Sequence, residues 1–370
     1  MEKLQFKKPQ INLARPTAGR MWLVNLCAFM AVIQSSLSDS FFSLMVALGA
    51  VAAAALTEFL ILYKNGRAGA LKDGSAVASA LILTLLLPNK ISPVYAAAGA
   101  AFAMAVIKHS FGGLGSNWLN PAAGGWLFIR FSWPSAFNRA LDSSPLTFLV
   151  ENIDAGVYSP RGSPLDILNV GAGGLFAPVS SMAGSIRAFL NDTVFSFLGA
   201  ELPEGYIDLF ISDFPGIIAD RGVLALVVGT IIMTASQVNR SWIPAVYLVV
   251  FSVFVRFAGA LPYGGSLWNG DVIFALCSGG TLAAAFFLAA DPATGAKSNE
   301  GILLAAVAGG GMAFFYRFYG DEPYGAIYTA IIINALLSLV RIFEGRKFYG
   351  KPEAGPAGTG PNGPSPGRFS

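Results

Sequence analysis

The sequence predicts an all-α polytopic membrane protein: about ten transmembrane helices in two inverted five-helix repeats, some of them broken or re-entrant. Three observations carry that prediction. The 370 residues are 54% hydrophobic and only 12% charged, whereas an average soluble domain is about 25% charged, so most of the surface must face lipid. Ten apolar segments follow one another at 20–37, 41–63, 74–88, 92–108, 119–134, 221–236, 242–261, 272–290, 301–316 and 324–343. Finally, the first five segments and the last five carry similar interruptions in the same order.

Residues 1–19 are basic and polar, lack the apolar core of a cleavable signal, and read as a cytoplasmic segment. Residues 20–134 form the first set of five segments and 221–345 the second. Lys3, Lys7, Lys8, Arg15 and Arg20 precede the first segment, Lys64, Arg67 and Lys72 follow the second, Arg240 follows the sixth, and Arg341, Arg346, Lys347 and Lys351 close the tenth. If every segment crosses, all of these fall on one side, so both termini are expected in the cytoplasm. The acid-bearing stretch 135–220 is then extracytoplasmic, and the Gly- and Pro-rich tail 346–370 is expected to be disordered.

Several segments are shorter than the roughly 20 residues that a full span needs. The third, "GSAVASALILTLLLP", starts on a glycine and ends on a proline; the eighth, "CSGGTLAAAFFLAADP", has the same small start, apolar run and terminal proline. Each leads to another apolar run and then to an aromatic-glycine break, "HSFGGLG" in one half and "RFYGDEPYG" in the other. An odd number of crossings per half inverts the second copy, which is the pattern that places a site near the midplane between broken helices.

The charge balance of +3 is small and forms no basic stripe, which argues against nucleic-acid binding. Cys27 and Cys277 sit alone in apolar runs and read as small core residues, and a single histidine cannot supply a pair of haem ligands. Any redox role therefore points to an organic cofactor. The stretch "HSFGGLGSNWLNPAAGG", residues 109–125, breaks the apolar pattern with five glycines and almost no charge. Gly112 and Gly113 let backbone approach a flat ligand closely, the amides of Asn117 and Asn120 suit a polar ring edge, and Phe111 and Trp118 suit its faces. A tight membrane turn that needs only small residues is the plainer alternative.

Three stretches, "LKDGSAVASALILTLLLP", "GGLGSNWLNPAAGG" and "GGTLAAAFFLAADPATGAKSNEG", resemble the D subunit of Rnf-type ion-translocating electron-transport complexes. They resemble more distantly the B subunit of the sodium-pumping NADH:quinone oxidoreductase. The likeness runs from "QINLARPTAGRMW" to "RIFEGRKFYG", with "DPATGAKSNEG" its most specific piece. The resemblance implies a urea-transporter-like fold and a subunit of a bacterial inner-membrane complex that passes electrons between ferredoxin and NAD, coupled to sodium or proton transport. It implies partner subunits, including a flavoprotein, and FMN joined through its phosphate to an outer-loop threonine. Non-covalent riboflavin or FMN among the helices is implied too.

The chain departs from that pattern at the attachment motif. The matching place reads "PRGSPLDIL", with Ser163 where the family has threonine. A serine hydroxyl can accept the same phosphoester, but the upstream acid is not at its usual spacing, Asp154 being farther away. Thr147 fits less well, and a Ser-Pro turn is the alternative.

Asp73 opens the third segment and Asp291 closes the eighth; acids beside membrane-buried breaks suit a cation path, while a helix cap or a turn acid is the ordinary reading. Thr281, at the small-residue break, suits a cavity lining or close helix packing. Glu58 reads as a structural acid that pairs with Lys64 or reaches the surface, and the lone His109 as an interfacial hydrogen-bonding group or a flavin partner. No chain of acids and histidines is visible within the spans, which favours sodium over protons. A passive channel for a small polar solute on the same fold, or a flavin-free structural subunit, is the competing reading.

Overall fold

The computed structural model describes residues 17–37, 41–65, 72–110, 113, 117, 119–141, 181–199, 201–202, 206–211, 216–236, 238, 242–263, 267–268, 270–291, 299–320 and 324–349. Among these the chain is helical, with a single isolated antiparallel bridge between Pro88 and Ile217. Each of the ten apolar segments contains at least one helix. In the first half these are α1 (Thr17–Leu37), α2 (Phe42–Lys64), α3 (Ser75–Leu86), α4 (Pro93–Phe102, continued as a π-turn through Lys108) and α5 (Pro121–Ser132), followed by the short α6 (Pro134–Leu141). The connecting region contributes α7 (Ser181–Leu190), α8 (Tyr206–Ile211) and α9 (Ile218–Arg221). The second half holds α10 (Val223–Ala235), α11 (Trp242–Ala258), α12 (Val272–Cys277), α13 (Thr281–Ala283, continued as a π-turn through Ala289), α14 (Asn299–Phe318) and α15 (Gly325–Tyr349).

Among the described residues, three helices are long and apolar enough to cross a membrane: Ala18–Leu37, Phe42–Lys64 and Glu300–Phe318. Five shorter apolar ones accompany them. Their outward side chains are large and greasy, with Val249, Val253 and Leu304 each more than 60% exposed, which places lipid and not water around them. The broken segments are the opposite. Most of α3 and every residue of Thr281–Leu288 are buried within protein, as an interrupted helix requires when no lipid can satisfy its freed backbone groups. Twelve residues of α3 rise only about 18 Å, well short of the roughly 30 Å hydrocarbon core.

The two halves pack by the same pairings. In the first, α4 lies against α2 and α5, while α3 touches α1, α2 and α5. In the second, α14 lies against α11 and α15, while the eighth segment touches α10, α11 and α15. The halves meet along α1 and α10. Small residues permit that approach: a Cβ on Gly229 would lie 2.9 Å from Cβ of Cys27, and one on Gly222 would lie 2.7 Å from the Ala31 carbonyl oxygen. Gly99 and Gly125 do the same between α4 and α5, where a Cβ on Gly125 would lie 2.7 Å from the Gly99 carbonyl oxygen.

Candidate functional site

Charged groups buried among apolar helices are costly, so their placement marks where the fold spends stability on function. The first such cluster sits where α2, α3 and the end of α4 converge. Gly74 takes φ +73°, a left-handed conformation natural to glycine, and turns the chain into α3. Asp73 caps that helix, its Oδ1 accepting from the Ser75 N–H at 2.8 Å and from the Ser75 hydroxyl at 2.6 Å. Lys108 reaches in from the π-turn of α4; its ammonium donates to Ser75 Oγ at 2.6 Å and to Glu58 Oε1 of α2. Lys108 and Glu58 are both almost wholly buried. His109 Nε2 lies 3.4 Å from the same Glu58 oxygen. Glu58 thus pairs with Lys108 and not with the sequence neighbour Lys64: the π-turn swings the Lys108 side chain across to α2, a contact 50 residues apart in sequence.

A second cluster holds the break in the eighth segment. Gly280 takes φ +68° and starts α13 as Gly74 starts α3. The carboxylate of Asp220, from α9, accepts from the N–H of Gly279 at 3.2 Å and from that of Gly280 at 2.8 Å. It occupies the anion position that a helix N-terminus offers. Arg317, near the end of α14, donates to the Ser278 carbonyl at 2.9 Å, to Ser278 Oγ at 2.7 Å, to Thr281 Oγ1 at 2.8 Å and to the Ala275 carbonyl. Lys108 and Arg317 therefore each tie the end of one helix to the first residues of a buried broken helix.

The halves are joined on either side of these clusters. Past the end of α3, Asn89 N–H donates to the Gly216 carbonyl at 3.4 Å and Ile218 N–H to the Leu87 carbonyl at 2.9 Å. Asn120 caps α5 through Oδ1 to the Ala122 N–H and donates through Nδ2 to Asp291 Oδ2, both at 2.9 Å. Trp126 donates to the Leu86 carbonyl at 2.9 Å and packs its ring edge-on to Tyr328 of α15. In the connecting region, Tyr206 donates to Asp271 Oδ2 at 2.7 Å. Burial first, and then the Asp271 carboxylate, push the Tyr206 phenol above its ordinary range.

Comparison with known proteins decides the family. The family model described as "NQR2, RnfD, RnfE family" matches residues 5–350. The chain belongs to the NQR2, RnfD, RnfE family. It is 26% identical over 337 residues to the D subunit of a proton-translocating ferredoxin:NAD(+) oxidoreductase complex from Clostridium ljungdahlii, covering 90% of this chain and 92% of that one. It is 25% identical over 342 residues to the D subunit of a Na(+)-translocating ferredoxin:NAD(+) oxidoreductase complex from Acetobacterium woodii, covering 92% and 93%. Against the D subunit of an ion-translocating oxidoreductase complex from Vibrio cholerae it is 27% identical over 353 residues, covering 92% and 97%.

For this member of the NQR2, RnfD, RnfE family, the sites expected from the sequence divide sharply. Ser163, Thr147, Phe111, Gly112 and Trp118 lie outside the described residues. Gly113 takes φ +93° and borders open space, with nothing within 4 Å of a Cβ built there. Asn117, its amide oriented to suit its neighbours, donates to the Lys108 carbonyl at 3.3 Å and to the Gly113 carbonyl at 3.0 Å. Asn117, Asn120 and Thr281 thus use the polar groups expected for a flavin edge on the protein itself. Asp73 and Asp291 are likewise a helix cap and a tie between halves. The structure brings together Glu58, Lys108, His109, Ser75 and Asp73, and separately Asp220, Arg317, Ser278 and Thr281. Sequence reasoning missed Lys108, Asp220 and Arg317. The signal that could have found Lys108 and Arg317 was a basic residue closing an apolar segment just before an aromatic-glycine break, once in each half.

Proposed function

We infer that this chain is the D-type membrane component of an ion-translocating ferredoxin:NAD oxidoreductase complex, a redox-driven translocase of the bacterial cytoplasmic membrane. The family match over residues 5–350 carries the reading. Alignment over about nine-tenths of both chains with complex subunits named for that activity supports it. Ten spans in two inverted five-helix repeats, with both termini cytoplasmic, are supported by the matched helix pairings. The pairings between segments support it as well. In that topology Glu58 with Lys108 and Asn120 with Asp291 fall on the cytoplasmic side, and Pro88 with Ile217 and Tyr206 with Asp271 on the outer side. Every pair joins like to like. Lys108 on Ser75 and Arg317 on Thr281 then form the same tie on opposite faces, as inversion demands.

The electron carrier in this reading is flavin: FMN esterified to Ser163 in the outer region, with a non-covalent riboflavin or FMN at the 109–125 loop. Flavin supplies one-electron chemistry when bound. With Asn117 and Asn120 already engaged, a ring at that loop rests on the open side of Gly113 and not on the amides. Mass spectrometry of the purified chain tests the reading. An FMN adduct on the peptide spanning Ser163, or flavin released on denaturation, supports it, together with ferredoxin-dependent NAD reduction by membranes that contain the chain. A colourless chain in membranes that retain that activity removes the carrier role.

A further inference from the structure

We propose that Glu58 and His109 form a proton-binding pair at the cytoplasmic end of α2 and α4, with His109 the port and Glu58 the buried acceptor. The proposal rests on the reading of the chain as an ion-coupled membrane subunit and names the group that takes the ion. Two buried polar atoms of this cluster lack hydrogen-bond partners, Glu58 Oε2 and His109 Nε2, and the imidazole nitrogen stands 3.4 Å from the other Glu58 oxygen, Oε1. Buried polar groups are otherwise nearly always paired, so two bare polar atoms on one carboxylate–imidazole contact mark a place built for something that comes and goes. The two residues differ in access. The His109 side chain is 14% exposed and Glu58 only 3%, so the imidazole is the more accessible of the two.

The donor set selects the ligand. A hard metal cation needs a cage of oxygens, whereas Glu58 has nitrogens for neighbours, the ammonium of Lys108 and the imidazole of His109. Among the described residues no group of three acids, histidines or cysteines could hold a metal ion. A proton needs only the carboxylate and a relay. It leaves imidazolium Nε2 and bonds to a Glu58 oxygen, which returns His109 to its neutral form and makes Glu58 a neutral acid. Lys108 then loses its counter-charge but keeps Ser75 Oγ, and through Ser75 the Asp73 carboxylate. The charged and titratable groups at this site, among the described residues, are Glu58 from α2, Lys108 and His109 from the end of α4, and Asp73 before α3. Proton arrival therefore changes the charge balance at the first turn of a buried broken helix.

His109 is the only histidine of the chain, so imidazole 15N labelling of the full-length protein in lipid nanodiscs, purified without a polyhistidine tag, reports this site alone. The expected result is an imidazolium signal at a fixed pH that is lost in part in Glu58→Gln, because the neighbouring opposite charge is gone. It should recover in Glu58→Asp. Equal populations in wild type and Glu58→Gln overturn the proposal. If Glu58→Gln does not fold, infrared difference spectra on acidification decide the matter: a protonated-carboxyl band that shifts in Glu58→Asp supports the pair, and no such band overturns it. Exchange of sodium for choline at constant pH should leave the imidazole signal unchanged; a sodium-dependent loss of the imidazolium assigns the site to the metal ion instead. Flavin content of the same samples is scored separately, so a colourless protein with an intact His109 response counts against the carrier role alone.

Discussion

Lys108 and Arg317 do the same work at the ends of two different helices. Each is nearly buried, each closes an apolar segment, and each donates to the hydroxyl of the residue that follows a left-handed glycine: Ser75 after Gly74, and Thr281 after Gly280. The two ties differ in how the charge is balanced. Lys108 meets a carboxylate directly, whereas Arg317 is spread over carbonyls and hydroxyls, with the Asp220 carboxylate on the adjoining backbone N–H groups.

Removing one partner of a buried ion pair strands the other. Lys108→Met is expected to destabilise the protein by about 3–5 kcal/mol, seen as a lower midpoint in thermal unfolding followed in detergent. The double variant Lys108→Met with Glu58→Gln should recover most of that loss. A double variant as unstable as the single one would show that packing of the Lys108 stem, and not its charge, is what matters.

Gly280→Ala should be disruptive because it meets two obstacles together. The residue sits at φ +68°, and a Cβ there would lie 2.8 Å from the Ile217 side chain. The backbone alone costs about 1–2 kcal/mol, so the same unfolding assay should show a clear loss. Gly113→Ala, with open space around it but φ +93°, should show only the backbone part.

Asp220→Ala leaves the N–H groups of Gly279 and Gly280 unpaired and deprives the helix start of its anion. Loss of a helix cap costs about 0.5–2 kcal/mol. The Gly279 and Gly280 amides should then exchange hydrogen for deuterium faster than in the wild type, with Leu83 and Leu85 of α3 slower to respond.

The alkaline limb tests Tyr206. Its folded-state phenol is held protonated by burial and by Asp271, so the contribution is full below the ordinary tyrosine value of about 10 and fades as pH rises above it. Tyr206→Phe should lower stability at neutral pH and remove part of the alkaline decline measured by thermal unfolding.

Cys27 and Cys277 are both buried, and Cys27 donates to the Gly229 carbonyl at 3.4 Å. A thiol-reactive maleimide should label neither in the folded protein and both in detergent-unfolded chains. Rapid labelling of Cys27 would contradict the close packing of α1 on α10.

Composition and hydropathy determined a great deal by themselves. Because lipid cannot pair backbone groups, an apolar run with so little charge has little choice but to be helical, and the ten segments, the glycine starts at Gly74 and Gly280 and the weak likeness of the halves were all legible in one dimension. What only the tertiary structure decided was which polar groups face each other. Glu58 stands six residues from Lys64 in the sequence, yet the π-turn after Phe102 delivers Lys108 to it instead. Asn120 read as an amide for a ring edge and Thr281 as a cavity lining or a packing residue, until folding gave Asn120 the Asp291 carboxylate to donate to and Thr281 the Arg317 guanidinium to accept from. A lone charge in an apolar segment announces that it must be neutralised, but the partner comes from another helix, and the rotation of that helix is set by packing contacts that no local pattern records.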